Sequence, residues 1–263
     1  MTDKQTLLIP GKAHPHAVQR LQGHFNVIQT QSDNLLPDRP DDIAAVATFL
    51  EPVTAELIDA LPNLQIISSF GVGYDHVDAA YAASKNIMVT HTPDVLDDEV
   101  ADTTIGLLIS TLRQLPKAEQ WLRSGNWKAQ GGYPLTPLTL RARTVGIFGL
   151  GRIGQAIATR LEGFGVAIHY HNRNPKDDVV YTYHPTLLDM AKAVDTLISI
   201  VPGTAATHKA INADILAALG ANGVFINVGR GNAVDEPALA AALQNGTIAA
   251  AGLDVFYDEP NVP

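Results

Sequence analysis

The chain has 263 residues, of which 46% are hydrophobic and 17% charged, and its formal net charge is -9. This length allows one large domain or two smaller ones, and the acidic balance disfavours nucleic acid and anionic membranes as partners. The absence of cysteine excludes disulfides and thiolate metal sites and agrees with a cytoplasmic location, and no metal site is predicted. The N-terminal apolar stretch is too short for a signal peptide, and no run approaches the roughly 18 apolar residues of a membrane helix.

Short apolar runs alternate with helix-period segments over residues 1–97. The predicted strands are TLLIPG, NVIQT, IAAVATF, LQIISSF and IMVTHTP. Helices are predicted between most of them, and Thr54 is placed to cap one of these helices at its N-terminus. Strands that are apolar throughout indicate burial on both faces, which is typical of a parallel sheet covered by helices. Residues 1–97 are therefore predicted to form a small α/β domain.

Residues 98–263 are predicted to form a second α/β domain that begins with a long linking helix. Val100, Thr104, Leu107 and Leu108 share a face of that helix, and Pro116 is expected to break or kink it. The strands predicted after it are TVGIFG, VAIHYHN, TLISIVPG, GVFINVGR and IAAAGLDVF. The fold class is thus α/β, with two doubly wound parallel-sheet domains.

A glycine-rich turn stands between the strand TVGIFG and the helix that follows it. Gly149 permits a tight turn, Gly151 allows a pyrophosphate to approach the backbone, and Gly154 allows the helix to pack close to the strand. The helix N-terminus, which begins near Arg152 and Ile153, supplies free N–H groups for phosphates. This context predicts a Rossmann dinucleotide-binding domain, whereas the alternative is a glycine-rich turn without a ligand.

The segment HYHNRNPK ends the next strand, where an NAD-binding protein has an acidic residue for the ribose hydroxyls about 20 residues after the glycines. Asn172 and Arg173 stand there instead. A carboxylate repels a 2′-phosphate, whereas the planar fork of Arg173 grips a phosphate or stacks on adenine, and Lys176 adds a further positive charge. The segment favours NADP(H), with NAD(H) still possible. The alternative is a solvated basic turn.

Two further strand ends have unusual residues. Arg230 lies between two glycines directly after a buried strand, and Asp254 and Glu259 follow the next strand. Ligands of open α/β sheets bind beyond the carboxyl ends of the strands, so both segments are expected to face the cofactor crevice. An arginine there holds a carboxylate and polarises a carbonyl, and a glutamate tunes a histidine acid/base. The alternative is a surface arginine and a solvated glutamate.

Five segments appear together in order: SSFGVGYDHVD, TPDVLDDEVADTTIGLLI, VGIFGLGRIGQAIA, INVGRGNAVDE and AGLDVFYDEP. Together they resemble the D-isomer-specific 2-hydroxyacid dehydrogenases, and especially their NADPH-using glyoxylate/hydroxypyruvate and hydroxyphenylpyruvate reductases. The resemblance runs from about Asp41 to the last residue. It implies a flavodoxin-like substrate domain, a small 2-oxo or 2-hydroxy acid as substrate, and a homodimer formed with the long helix.

The resemblance also implies roles for single residues. Arg230 would bind the carboxylate and carbonyl of the 2-oxo acid, and Glu259 would be its acidic catalytic partner. The N–H groups of Val72 and Gly73 would hold the substrate carboxylate, and Asp254 would meet the nicotinamide carboxamide. Further cofactor contacts are expected at Thr104, Val201, Pro202 and Val228.

The substrate side-chain pocket is expected to involve Leu50, Glu51 and Tyr74, and Glu51 weakly favours hydroxypyruvate over oxaloacetate. The catalytic histidine of the family, in a Pro-His segment, would fall beyond Pro263, and no other histidine substitutes for it. We therefore expect an incomplete chain of a reductase. The alternatives are a nucleotide-sensing interaction protein on the same fold and a redox-inactive binder produced by truncation.

Overall fold

The computed structural model describes residues 4–49 and 51–262, and the chain divides into two compact units, Met1–Leu96 and Asp97–Pro263. We call them unit 1 and unit 2. Each unit contains one sheet in which every strand pair is parallel. The predicted α/β class with two parallel sheets is confirmed.

Unit 1 is built on a five-stranded sheet with the strand order β2-β1-β3-β4-β5. Its elements are β1 (Thr6–Ile9), α1 (Pro15–Gln22), β2 (Asn26–Gln29), a 3-10 turn (Pro40–Asp42), β3 (Ile43–Thr48), α2 (Ala55–Asp59), β4 (Ile66–Ser69), α3 (Ala79–Ser84) and β5 (Met88–Thr90). This order is that of a flavodoxin-like doubly wound sheet. The hydroxyl of Thr54 accepts a hydrogen bond from the N–H of Leu57, so the predicted cap of α2 is confirmed.

Alternate residues of the unit 1 strands enter two different apolar clusters. Leu7 and Ile9 pack with α1 on one face, whereas Leu8 packs with α2 and α3 on the other. Successive strand residues point to opposite faces of a sheet, so both faces must be covered when both are apolar. This explains why the unit 1 strands read as continuous hydrophobic runs in the sequence.

Unit 2 is built on a six-stranded sheet with the strand order β11-β10-β9-β6-β7-β8. Its helices are α4 (Asp97–Arg113), α5 (Leu115–Arg123), α6 (Asn126–Gln130), α7 (Arg152–Glu162), α8 (Leu187–Ala193), α9 (Ala213–Leu219), α10 (Glu236–Gln244) and a 3-10 turn (Gly231–Ala233). Its strands are β6 (Thr144–Phe148), β7 (Ala167–His171), β8 (Thr182–Tyr183), β9 (Thr196–Ser199), β10 (Val224–Asn227) and β11 (Ala250–Leu253).

The unit 2 order, read from β8 to β11, is the Rossmann order 3-2-1-4-5-6, and the order reverses between β6 and β9. All four residues of β9 and of β10 are buried. Helices α8, α9 and α10 pack on one face of the sheet, and α4 and α7 pack on the other. The doubly wound architecture places the loops after β6 and β9 beside the point at which such sheets bind ligands.

Three details of unit 2 differ from or refine the prediction. Helix α4 buries Ala101, Thr104, Leu108 and Leu112, whereas Val100 and Leu107 are only partly buried, so the core-facing stripe is shifted from the predicted one. The break predicted at Pro116 occurs at Gln114, which has φ 53°, because a proline ring clashes with the carbonyl four residues earlier. Strand β8 was not predicted, since two residues are too few to show a period.

Among the described residues, no helix combines the length and the apolar content that crossing a membrane requires.

Candidate active site

The glycine turn after β6 has the geometry that its sequence predicts. Gly149 has φ 103°, a conformation that side-chain-bearing residues rarely adopt. A Cβ on Gly154 would overlap the carbonyl oxygen of Gly149, so only glycine lets α7 start this close to β6. A Cβ on Gly151 would meet no atom within 4 Å, and no side chain caps α7 at this end. The helix α7 therefore starts at Arg152 without a side-chain cap, and the space beside Gly151 is open.

Asn172 holds this turn from the neighbouring strand. Its Oδ1 accepts a hydrogen bond from the N–H of Leu150 at 2.7 Å, and its Nδ2 donates to the carbonyl of Leu150 at 3.4 Å. The sequence predicts Asn172 beside the ribose only because of its distance along the chain from the glycine turn. The structure gives it a second role, which is to fix the backbone of the glycine turn.

Arg173 follows Asn172 on an exposed loop. Its side chain makes no hydrogen bond or ion pair with any residue in the described ranges, so its guanidinium is available to an anion. Lys176 is different, because its Nζ lies 3.8 Å from Asp178 and its side chain is only 28% exposed. The charge expected at Lys176 is thus partly balanced, and Arg173 is the stronger candidate for a phosphate contact.

The loops after β6, β9 and β10 meet around Val201, which is buried. A Cβ on Gly149 would press on Val201 from one side, and a Cβ on Gly229 would press on its backbone from the other. Val228 is buried beside them, and Pro202 is exposed. Unit 2 therefore brings the glycine turn, Val201 and the segment that leads to Arg230 together.

Thr104 is fully buried in α4, and its hydroxyl donates to the carbonyl of Val100 at 2.7 Å. A hydroxyl on a helix commonly makes this bond to the preceding turn. The contact expected between Thr104 and the cofactor stays a prediction.

Asn227 fixes the turn that contains Arg230. This residue ends β10 and is fully buried. Its Nδ2 donates to the carbonyl of Arg230 at 3.0 Å, and its Oδ1 accepts a hydrogen bond from the N–H of Gly229 at 3.2 Å. The guanidinium of Arg230 also donates to the carbonyl of Gly229 at 2.9 Å. Sequence reasoning missed Asn227, although a polar residue at the end of an apolar strand is a usable signal.

The segment after β11 packs directly on the Arg230 turn, since a Cβ on Gly231 would overlap the backbone of Phe256. Glu259 lies on this segment and accepts the N–H of Phe256 at 2.8 Å through Oε1. Asp254 is exposed, and its N–H donates to the carbonyl of Asn227 at 2.9 Å. The segments of Arg230, Asp254 and Glu259 are thus neighbours in unit 2.

Unit 1 presents a second glycine turn, directly after β4. The N–H groups of Val72 and Gly73 donate to none of the described residues. His91 Nδ1 donates to the carbonyl of Val72 at 2.9 Å, and the rings of His91 and Tyr74 lie 4.9 Å apart. Sequence reasoning found the turn but missed His91, because nothing in the local pattern connects residues so far apart in the chain.

The other residues expected to contact the substrate side chain lie in or near the loop after β3. Leu50 lies outside the described residues. The carboxylate of Glu51 accepts a hydrogen bond from Ser32 and packs over Gly11. Glu51 therefore already has a hydroxyl partner within unit 1, which weakens the argument that it selects a substrate hydroxyl.

His169 and His184 form a pair where β7 meets β8. The Nδ1 of His169 and the Nε2 of His184 are 2.9 Å apart, and burial, together with the nearby His184, lowers the pKa of His169 below its usual 6.5. His171 Nδ1 donates to the carbonyl of His184 at 2.8 Å. These contacts connect β7 to β8.

The residues of unit 2 fit a dinucleotide with a 2′-phosphate. The space at Gly151 and the uncapped start of α7 suit a pyrophosphate. The end of β7 presents an amide and an arginine in place of a carboxylate.

Comparisons with known proteins agree with this geometry. The family model described as D-isomer specific 2-hydroxyacid dehydrogenase, NAD binding domain, matches residues 105–263. A glyoxylate/hydroxypyruvate reductase A of Arabidopsis thaliana is 48% identical over 248 residues, which are 92% of this chain and 79% of that protein. The chain belongs to the D-isomer-specific 2-hydroxyacid dehydrogenase family.

Two further relatives of the dehydrogenase refine this assignment. A hydroxyphenylpyruvate reductase of Plectranthus scutellarioides is 47% identical over 80% of this chain and 66% of its own length. The structure of an NADPH-dependent glyoxylate/hydroxypyruvate reductase of Sinorhizobium meliloti, in complex with NADP and malonate, matches with a TM-score of 0.96 and 58% identity. That match covers 99% of this chain and 82% of the other. The predicted family and its oxidoreductase class are confirmed, and they favour an enzyme over a nucleotide sensor.

Proposed function

We propose that this dehydrogenase is an NADPH-dependent reductase of small 2-oxo acids of the glyoxylate and hydroxypyruvate type. The observation that favours NADPH is Arg173, an exposed and unengaged guanidinium where NAD-binding proteins have a carboxylate. The names of the relatives support the substrate class. Unit 1 is the proposed substrate-binding domain, and unit 2 is the proposed dinucleotide-binding domain.

When bound, NADPH would supply the hydride that reduces C2 of the 2-oxo acid. The N–H groups of Val72 and Gly73 hold the substrate carboxylate. Arg230 binds the carboxylate and polarises the carbonyl, for which its planar fork is suited. Glu259 would hold and tune the catalytic histidine of the family, which would protonate the carbonyl oxygen, and its bond to the N–H of Phe256 keeps the carboxylate in place.

The remaining cofactor contacts follow the loops of unit 2. The turn from Gly149 to Gly154 receives the pyrophosphate, and Asn172 keeps that turn in shape. The nicotinamide end is lined by Val201, Pro202 and Val228, with Asp254 at the carboxamide and Thr104 nearby.

Cofactor preference is tested by Arg173→Ala. Only NADPH has the 2′-phosphate, so its binding should weaken by about 1.5–3 kcal/mol, the range for a charge-assisted contact, whereas NADH binding should hardly change. Isothermal titration calorimetry with both cofactors measures this difference. Arg39→Ala removes an exposed positive charge from unit 1 and should leave both affinities unchanged. Equal losses for NADPH and NADH in Arg173→Ala would refute the phosphate contact.

Substrate binding is tested by Arg230→Lys. An ammonium group cannot reproduce the bidentate fork, so in a chain that includes the expected Pro-His segment kcat/KM for glyoxylate should fall by about 100-fold or more while NADPH affinity is kept. Steady-state kinetics together with the same calorimetric titration separate the two effects. A near-normal kcat/KM would remove Arg230 from this role.

We also infer a homodimer in the cytoplasm. The segment from α5 to residue 135 exposes Leu115, Leu122, Trp127 and Leu135, which is typical of a surface covered by a partner. The sequence has no cysteine, which agrees with a reducing compartment. Light scattering of the purified protein measures the oligomeric state, and a monomer at micromolar concentration would contradict the dimer.

A further inference from the structure

The loop that presents Arg173 is held at both of its ends by tyrosine hydroxyls. At its start, the hydroxyl of Tyr183 donates to the carbonyl of Asn172 at 3.3 Å. At its end, the N–H of Lys176 donates to the hydroxyl of Tyr170 at 2.8 Å, and that hydroxyl lies 3.4 Å from the carbonyl of Lys176. Both tyrosines thus contact the backbone of the loop, which fixes its path without engaging its exposed side chains.

The two tyrosines are neighbours on adjacent strands. Tyr170 on β7 is paired in register with Tyr183 on β8, and their rings lie 5.3 Å apart. Tyr170 is only 1% exposed, so its hydroxyl needs a partner inside the protein, and the backbone of Lys176 provides one. Strand β8 has only two residues, and one of them is Tyr183. This short edge strand therefore places a hydroxyl at the start of the loop.

We propose that Tyr170 and Tyr183 are positioning residues that set the preference of this enzyme for NADPH over NADH. The proposal rests on the proposed function, because it assumes that Arg173 meets the 2′-phosphate. A loop already fixed at Asn172 and Lys176 loses little conformational freedom when Arg173 closes on a phosphate. NADH has no such phosphate, so it gains nothing from a loop fixed in advance.

The test removes one hydroxyl at a time, with Tyr183→Phe and Tyr170→Phe, and measures NADPH and NADH binding by calorimetry. Loss of a neutral hydrogen bond predicts that the Kd for NADPH rises by roughly three- to tenfold in each variant, while the Kd for NADH changes less than about twofold. The matched control is Tyr181→Phe. Tyr181 donates to Glu162 at 2.7 Å and not to the loop, so both affinities should stay as they are.

A second measurement separates positioning from a general structural effect. In an Arg173→Ala background, either tyrosine substitution should cause no further loss of NADPH affinity, because the group that the loop presents is gone. A further loss of similar size would overturn the proposal. So would equal losses for NADPH and NADH, an unchanged NADPH affinity, or an equal effect of Tyr181→Phe.

Failure of this proposal is distinguishable from failure of the proposed function. If Arg173→Ala weakens NADPH selectively and the tyrosine variants do not, only the positioning role is wrong. If Arg173→Ala weakens both cofactors alike, the phosphate contact itself is wrong. Thermal unfolding of each variant shows whether it is folded. Tyr183→Phe keeps the test decisive if Tyr170→Phe does not fold, since Tyr183 is only partly buried.

Discussion

The turn after β6 in unit 2 and the turn after β4 in unit 1 are both rich in glycine, but they are supported differently. The unit 2 turn leads at once into α7, which has 11 residues, and Asn172 on β7 bonds to both the N–H and the carbonyl of Leu150. The unit 1 turn is followed by no helix until α3 at Ala79. It is held by His91 and by the bond from the N–H of Thr92 to the carbonyl of Gly71.

This difference corresponds to the charge of the ligand proposed for each turn. A pyrophosphate has two negative charges, and the start of a helix offers several N–H groups and a positive partial charge. A substrate carboxylate has one charge and two oxygens. Val72 and Gly73 offer two N–H groups, one for each oxygen. On this proposal, a glycine turn alone does not define a phosphate site, and the element that follows the turn decides which anion it suits.

The largest expected effect comes from Gly154→Ala. The added methyl would overlap the backbone carbonyl of Gly149, which cannot move without separating α7 from β6. We expect a loss of about 3 kcal/mol or more in the free energy of unfolding, at the upper end of overpacking effects, together with loss of binding for both cofactors. Urea unfolding followed by circular dichroism measures the first quantity, and calorimetry the second.

Gly151→Ala is the matched control for that substitution. Its methyl would meet no protein atom within 4 Å, so the unfolding free energy should stay within about 0.5 kcal/mol of the parent value. We propose that the pyrophosphate approaches through this space, which the methyl would occupy. Affinity for NADPH and NADH should therefore fall together. If Gly151→Ala bound both cofactors normally, the pyrophosphate would not lie at this turn.

The sequence predicted the parts of the molecule that depend on local pattern. Continuous apolar runs predicted the strands of both sheets, and Gly149 and Gly154 predicted the turn, because a positive φ and a close backbone approach each require glycine. The family was also recognisable from ordered motifs. Each of these signals lies within a short stretch of chain, where period and spacing can be read directly.

The supports of the site could not be predicted in the same way. Asn172 bonds to Leu150 and His91 bonds to Val72, and in each pair the two residues are far apart in sequence. Such a contact depends on strand order and register, which hydrophobic period does not show. The shifted buried face of α4 has a similar cause, since α4 packs against α7 and Ala101 belongs to the apolar cluster that the two helices share.

The next effect in size is that of Asn172→Ala, which removes the support of the unit 2 turn. The N–H of Leu150 then loses its acceptor, and an unmade bond at a partly buried group costs about 1–3 kcal/mol. Affinity for NADPH and NADH should therefore fall together, by roughly tenfold. The same titrations measure both values.

Asn172→Asp sharpens this test, because a carboxylate still accepts the N–H of Leu150 but repels a 2′-phosphate. NADH affinity should recover toward the parent value, whereas NADPH affinity should stay low. Recovery of both cofactors would mean that the phosphate lies away from the end of β7. Recovery of neither would mean that the turn needs the Nδ2 bond to the carbonyl of Leu150 as well.

The smallest expected effect concerns the unit 1 turn, in the variant His91→Phe. The phenyl ring keeps the contact with Tyr74 but cannot donate to the carbonyl of Val72. In a chain that includes the expected Pro-His segment, loss of one neutral hydrogen bond predicts that KM for glyoxylate rises by roughly two- to tenfold, with kcat and NADPH affinity unchanged, because only the turn that we propose for the carboxylate is loosened. His24→Phe makes the same exchange at an exposed position of unit 1 and should change none of these values. If His91→Phe also weakened NADPH binding, the two turns would not serve separate anions, and the contrast between them would have to be abandoned.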